Sequence, residues 1–166
     1  MSITAADLMT SRLITLIPEM TLAEMDTVLM KRGVSGAPVV EARRLVGVAS
    51  QADIARALWE GQHESLQIAP YYGSPFPVPL SALAYIAKDS GRIGDLMVER
   101  KVSDVMTADP LVAHPEDSIE KIAERMVQDS IHRLPVVEAG SGDLVGIITT
   151  LDLARGITRY GLVSVP

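Results

Sequence analysis

No cysteine occurs in the 166 residues. That excludes disulfides, thiol nucleophiles and cysteine-ligated metals, and it suits a reducing, cytoplasmic setting. Aromatic residues are almost as scarce, with one Trp, one Phe and four Tyr. Since 48% of the chain is nevertheless hydrophobic, the core has to be aliphatic. Positive charge is also short. A formal charge of −6 argues against a broad basic face for nucleic acid and leaves room only for a local cluster holding one phosphate group. The opening residues lack the basic-then-apolar order of a secretion signal. Residues 65–87 carry no formal charge, yet Pro70, Pro75, Pro77 and Pro79 fall among them, and such a run cannot hold a membrane helix. We expect a connection that seals a module edge, covers a cleft or packs on a second copy. His63, His114 and His132 show no metal-ligand spacing. No nucleophile–base pair or Gly-rich phosphate loop is present, so no enzyme is expected.

What the chain does have, it has twice. Leu45–Arg56 reads LVGVASQADIAR and Leu144–Arg155 reads LVGIITTLDLAR. Extending both copies aligns Asp7–Arg56 with Asp104–Arg155, allowing two extra residues near Ser141-Gly142, and 16 of the 50 positions are identical. A period near 97 residues is too long for a solenoid, so these are two modules joined by a spacer. The expected division is 1–60, a proline-rich spacer with short helices over 61–103, and 104–166.

Each copy predicts the same elements. Asp7–Thr10 and Asp104–Thr107 suggest a helical turn. Leu13–Leu16 and Leu111–Ala113 read as short strands stopped by Pro18 and Pro115. Thr21–Arg32 is a helix opened by a Thr21/Glu24 capping box, with Leu22, Met25 and Leu29 as its apolar stripe. Ser118–Asp129 matches it, but Lys121 replaces the glutamate. Ala37–Val40 and Leu134–Val137 are strands whose early proline suits an edge or first-residue place. A turn, the Leu-Val-Gly strand and a final helix follow. Within the spacer, 81–88 and 92–101 can form short helices. The order is β-α-β-β-α, twice. About 50 residues make a marginal core alone, so two copies packed sheet to sheet in pseudo-twofold symmetry are expected, an α+β fold.

At the strand-to-helix step, Ser50 and Thr149 can cap the helix, and Asp53 and Asp152 stand at capping-box spacing behind them. Arg56 and Arg155 follow three residues on. A hydroxyl, a carboxylate and a guanidinium at a helix start can hold a ribose and a phosphate; equally, they can be a cap and an ion pair.

The ordered set of D-x-M-T at 7–10 and 104–107, GAPVVE and RLPVVE, and the two Leu-Val-Gly strands with their aspartates resembles the CBS domain family. Two such copies are similar to a Bateman module. The resemblance covers roughly 100 residues and implies clefts between the repeats that take adenine nucleotides or S-adenosyl compounds, and a disc-like homodimer. By that resemblance Asp53 and Asp152 would bind ribose, with Ser50 and Thr149 beside them. His132 and Arg133, ahead of Leu134, would line the adenine or phosphate end, where the first repeat has Ser35, Gly36 and Ala37. Thr15 matches the family's hydroxyl in the first strand, whereas Val112 replaces it in the second copy, so the two clefts should differ. Val34 and Ile131 would offer apolar surface to a base, or simply pack in the core. The function implied is a non-enzymatic regulator that needs no cofactor, binds AMP, ADP, ATP or an S-adenosyl compound, and signals through conformation to a regulated protein partner. The rival is a dimerisation or interaction module with vestigial clefts.

Overall fold

The computed structural model describes residues 3–59 and 90–161. The uncharged 65–87 segment and the helix expected over 81–88 lie outside the described residues. In chain order the elements are α1 (Ala5–Leu8), α2 (Leu22–Arg32), β1 (Gly36–Glu41), β2 (Arg44–Ser50) and α3 (Gln51–Trp59). After the undescribed stretch come α4 (Ser90–Glu99), a 3₁₀ turn (Val102–Asp104), β3 (Thr107–Ala108), α5 (Ile119–Gln128), β4 (Arg133–Val137), β5 (Leu144–Thr149) and α6 (Thr150–Tyr160). The fold is α+β.

The caps explain where the helices begin. Thr21 Oγ1 accepts from the Glu24 amide at 3.2 Å, and Glu24 Oε2 takes the Thr21 amide at 2.8 Å. Ser118 Oγ accepts from the Lys121 amide, but the reciprocal half is missing, as the lysine requires. Lys121 instead reaches back to Asp117 Oδ1 at 2.6 Å. Gly33 ends α2 with φ +65, a left-handed cap that side chains rarely adopt.

The chain forms two compact units. The first-repeat unit holds residues 14–42, 46–59 and 90–110 of those described. Its sheet runs β1-β2-β3, with Gly47 opposite Ala108 and Val48 opposite Thr107. Leu16 adds a parallel bridge to Val39. Leu16, Leu22, Met25, Leu29, Val39, Ala49, Ile54 and Val102 fill its core, all aliphatic or methionine. The second-repeat unit holds residues 3–13, 43–45 and 111–161. Here β4 and β5 pair antiparallel, Thr10 bridges Ile147, and Ala113 bridges Val136 in parallel. Ala5, Ile122, Met126, Leu134, Val136 and Ile148 are buried in it.

Each unit therefore closes with a strap from the other repeat. The D-x-M-T stretch at 7–10 bonds to β5, and the one at 104–107 bonds to β2. Glycines make this possible. A Cβ at Gly47 would lie 2.6 Å from Met106 Sδ and 3.0 Å from the Thr107 carbonyl oxygen. A Cβ at Gly146 would collide with Met9 Sδ. The Leu-Val-Gly glycine is thus the seat of the strap's methionine, in both units.

Two expectations are adjusted and one holds. The strands foreseen at Leu13–Leu16 and Leu111–Ala113 shrink to one bridging residue each, Leu16 and Ala113. The helical turn foreseen at Asp7–Thr10 lies earlier, at Ala5–Leu8, which leaves Thr10 free to pair as a strand. Pro38 and Pro135 sit third in β1 and β4, each the edge strand of its sheet, as their early position suggested. Their carbonyls accept from Leu16 and Ala113, so their missing N–H faces the side where the pairing is one residue wide, and no ladder bond is lost.

Candidate functional site

In each repeat, one end of the sheet gathers the residues singled out in the sequence. Gln51 N–H donates to the Ser35 carbonyl at 2.9 Å, tying the start of α3 to the loop ahead of β1. The second repeat repeats the tie, from Thr150 N–H to the His132 carbonyl at 3.0 Å. Arg133 and Thr149 are ladder partners. Thr15 precedes Leu16 alongside β1, and Val112 precedes Ala113 alongside β4, which brings both to the same sheet ends. Thr15, Ser35, Gly36, Ala37, Ser50 and Asp53 are thus neighbours in the first-repeat unit. Val112, Ile131, His132, Arg133, Leu134, Thr149 and Asp152 are neighbours in the second.

The aspartates are the centre of each set. Asp53 is 1% exposed and Asp152 is 5%. Asp53 Oδ2 accepts the Ser50 amide at 2.8 Å and the Ser50 hydroxyl at 2.7 Å, while Oδ1 takes Arg56 Nη1 at 3.0 Å. Asp152 Oδ2 accepts the Thr149 amide at 2.9 Å and hydroxyl at 2.6 Å, and Oδ1 takes Arg155 Nη1 at 3.1 Å. A carboxylate offers about four lone-pair sites, so three bonds leave Oδ1 able to accept one more donor. Each arginine stands one turn further along its helix than the aspartate it pairs with. Arg155 is the more open, at 66% side-chain exposure against 35% for Arg56.

The two sets differ as their sequences do. His132 is exposed and Arg133 half-buried at the start of β4, where the first repeat places Ser35 and Gly36. Val34 is half-buried on the first core and Ile131 is 5% exposed, so most of their area serves packing. Ala37 and Leu134 are fully within the cores.

Two features escaped the sequence reading. One is the methionine strap; its signal was the pairing of a repeated Met with a repeated Gly. The other is a polar cluster in the second repeat. Asp117 accepts from the His114 amide and from Lys121, and His114 Nδ1 lies 2.9 Å from the Val137 carbonyl oxygen. Burial opposes the charge on Asp117, but the Lys121 ammonium and the His114 amide outweigh it and hold its carboxyl below the ordinary range. Among the described residues, no group of three His, Asp or Glu is placed to hold a metal, and no helix is long and apolar enough to cross a membrane.

Comparison with known proteins identifies the family and the fold. The family model for the CBS domain matches residues 5–60 and 102–159, more than half of the chain. An uncharacterised protein of Methanocaldococcus jannaschii is 33% identical over 143 residues, which is 82% of this chain and 80% of that protein. Longer relatives match too: the chain spans only 21% of an inosine-5′-monophosphate dehydrogenase of Korarchaeum cryptofilum, at 28% identity. Among solved structures, CBSX2 from Arabidopsis thaliana in complex with AMP superposes with a TM-score of 0.66 at 25% identity, covering 95% of this chain and 98% of that one. The CBS domain pair of protein MJ0100 in complex with 5′-methylthioadenosine and S-adenosyl-L-methionine shares the fold, at 20% identity and a TM-score of 0.64, over 95% and 97% of the two chains.

Proposed function

Because the chain belongs to the CBS domain family, as a tandem pair, we propose that it is a non-enzymatic sensor of an adenosine-containing ligand. The ligand class is AMP, ADP, ATP or an S-adenosyl compound. One observation carries the reading: each repeat buries an aspartate at a helix start and holds it by a hydroxyl and an arginine, with a lone pair to spare on Oδ1 that is partly open at Asp152 and opens at Asp53 only when Arg56 moves aside. A ribose hydroxyl is a suitable donor for it, and the neighbouring Arg56 or Arg155 suits a phosphate. AMP in the similar CBSX2 complex supports the ligand class. In this reading Thr15, Ser35 and Gly36 attend the first site. Val112, His132 and Arg133 attend the second. The chain acts as a cytoplasmic homodimer whose conformation a protein partner reads. A ligand shifts such an equilibrium only by its differential affinity for the two states.

Calorimetric titration of the full chain with AMP, ADP, ATP and S-adenosylmethionine tests this. One of them should bind, and free ligand at about 100 times its dissociation constant should add about 2.7 kcal/mol of stability. Asp53→Asn or Asp152→Asn, in a protein that still melts cooperatively, should weaken that binding by about tenfold or more.

A second reading is an interaction module with vestigial clefts. It is favoured by the three bonds each aspartate already makes to its own chain, which give it a structural task with no ligand bound. No response to the whole panel from folded protein would reject sensing and favour this module.

A further inference from the structure

In both units the strap is held at one point by a thioether. Met9 rests on Gly146 and Met106 on Gly47, with the sulfur itself against the glycine in each case. Both methionines are half-buried, so solvent reaches them. Backbone bonds next to them complete the seam. Thr10 N–H donates to the Ile147 carbonyl at 2.9 Å and Ile147 N–H to the Thr10 carbonyl at 3.1 Å, while Val48 pairs with Thr107. With no cysteine in the chain, methionine is its only oxidisable sulfur.

We propose that Met9 and Met106 are paired oxidation sites through which peroxide loosens the two straps. The thioether lone pair attacks one peroxide oxygen and the O–O bond breaks. The sulfur keeps that oxygen as a sulfoxide, and the other leaves as water. A dithiol-driven methionine sulfoxide reductase reverses the step, returning the thioether and water and oxidising the dithiol to a disulfide. The product no longer fits its seat. On the glycine side there is no room even for a methyl group, and a sulfoxide oxygen seeks hydrogen-bond donors, whereas the backbone atom beside the Gly47 seat is the Thr107 carbonyl oxygen, itself an acceptor. The side chain swings out toward water, and the short strand beside it loses its anchor. This holds whatever the protein binds.

The test treats the full chain with graded hydrogen peroxide, maps sulfoxides by peptide mass, and follows amide exchange at Thr10, Ile147, Val48 and Thr107. Exchange at these amides should rise about tenfold in step with oxidation of Met9 and Met106, and fall back after reductase treatment. Met30, 68% exposed on α2, serves as the control: its oxidation alone should leave the seams unchanged. A Met9→Leu/Met106→Leu variant should resist the effect. If that variant does not fold, the wild-type dose series still decides, because it relates each methionine's occupancy to its own seam. Full oxidation of Met9 and Met106 with unchanged exchange overturns the proposal. So does resistance of both sulfurs once Met30 is fully oxidised.

Discussion

Asp53 and Asp152 make the same three bonds at different depths, and the difference has a measurable outcome. The Asp53 carboxylate is fully covered and its arginine is 35% exposed, whereas the Asp152 carboxylate is 7% exposed and its arginine 66%. Removing Asp53 strips a buried cap and leaves a half-buried guanidinium, so Asp53→Ala should destabilise by about 1–3 kcal/mol. Asp152→Ala should cost less, and urea unfolding of the two variants checks the order. Loss of ligand binding on Asp→Ala replacement is therefore informative only after the stability loss is subtracted. The strap glycines give a second outcome. Gly47→Ala pushes a methyl group into Met106 and the Thr107 carbonyl, and should destabilise by about 1–3 kcal/mol. Adding Met106→Ala should recover part of that loss, so the double-mutant cycle must be non-additive. The sequence displayed the aspartates through local spacing. It could not display the Met–Gly contacts, because they join residues about 59 and 137 positions apart.

At the scale of single elements, the caps and hairpins were legible, since a Thr–Glu pair or a Leu-Val-Gly strand acts on its nearest neighbours. The short outer strands were not, because their pairing partner decides where they stop. The turn between β1 and β2 is a local misfit the pattern did not announce. Ala42 and Arg43 both have positive φ, +46 and +75, where hairpins ordinarily place Asn-Gly. Arg43 is 82% exposed in its pair with Asp143, a contact worth little. Ala42→Asn with Arg43→Gly should therefore raise the melting temperature by roughly 2–4 °C, corresponding to about 1 kcal/mol. At the start of α5, the lowered Asp117 carboxyl has a pH consequence. Its folded pKa lies below its unfolded one, so its contribution is complete above the ordinary carboxylate range. The contribution is lost as pH falls through the folded value. Asp117→Asn should lose stability at neutral pH and show a shallower acid limb than the parent in pH-dependent melts.

Across the whole molecule, repeats in sequence and units in space are different partitions. Comparing the copies shows two alike modules; it does not show that each module borrows its strap from the other copy, because both assignments produce the same pattern. Deletion of residues 1–12 supplies a test. It removes the Ala5 amide from the Asp117 carbonyl and Thr10 from Ile147. Amide protection should then fall across 111–161 while 14–59 keeps most of its own, as hydrogen exchange with mass spectrometry will show.

The exchanged straps also bear on how such a protein is inherited and engineered. A single copy moved by recombination, or cut out for fusion to another protein, arrives with an open sheet edge and a methionine without its glycine. The pair carries both methionines together with both of their seats.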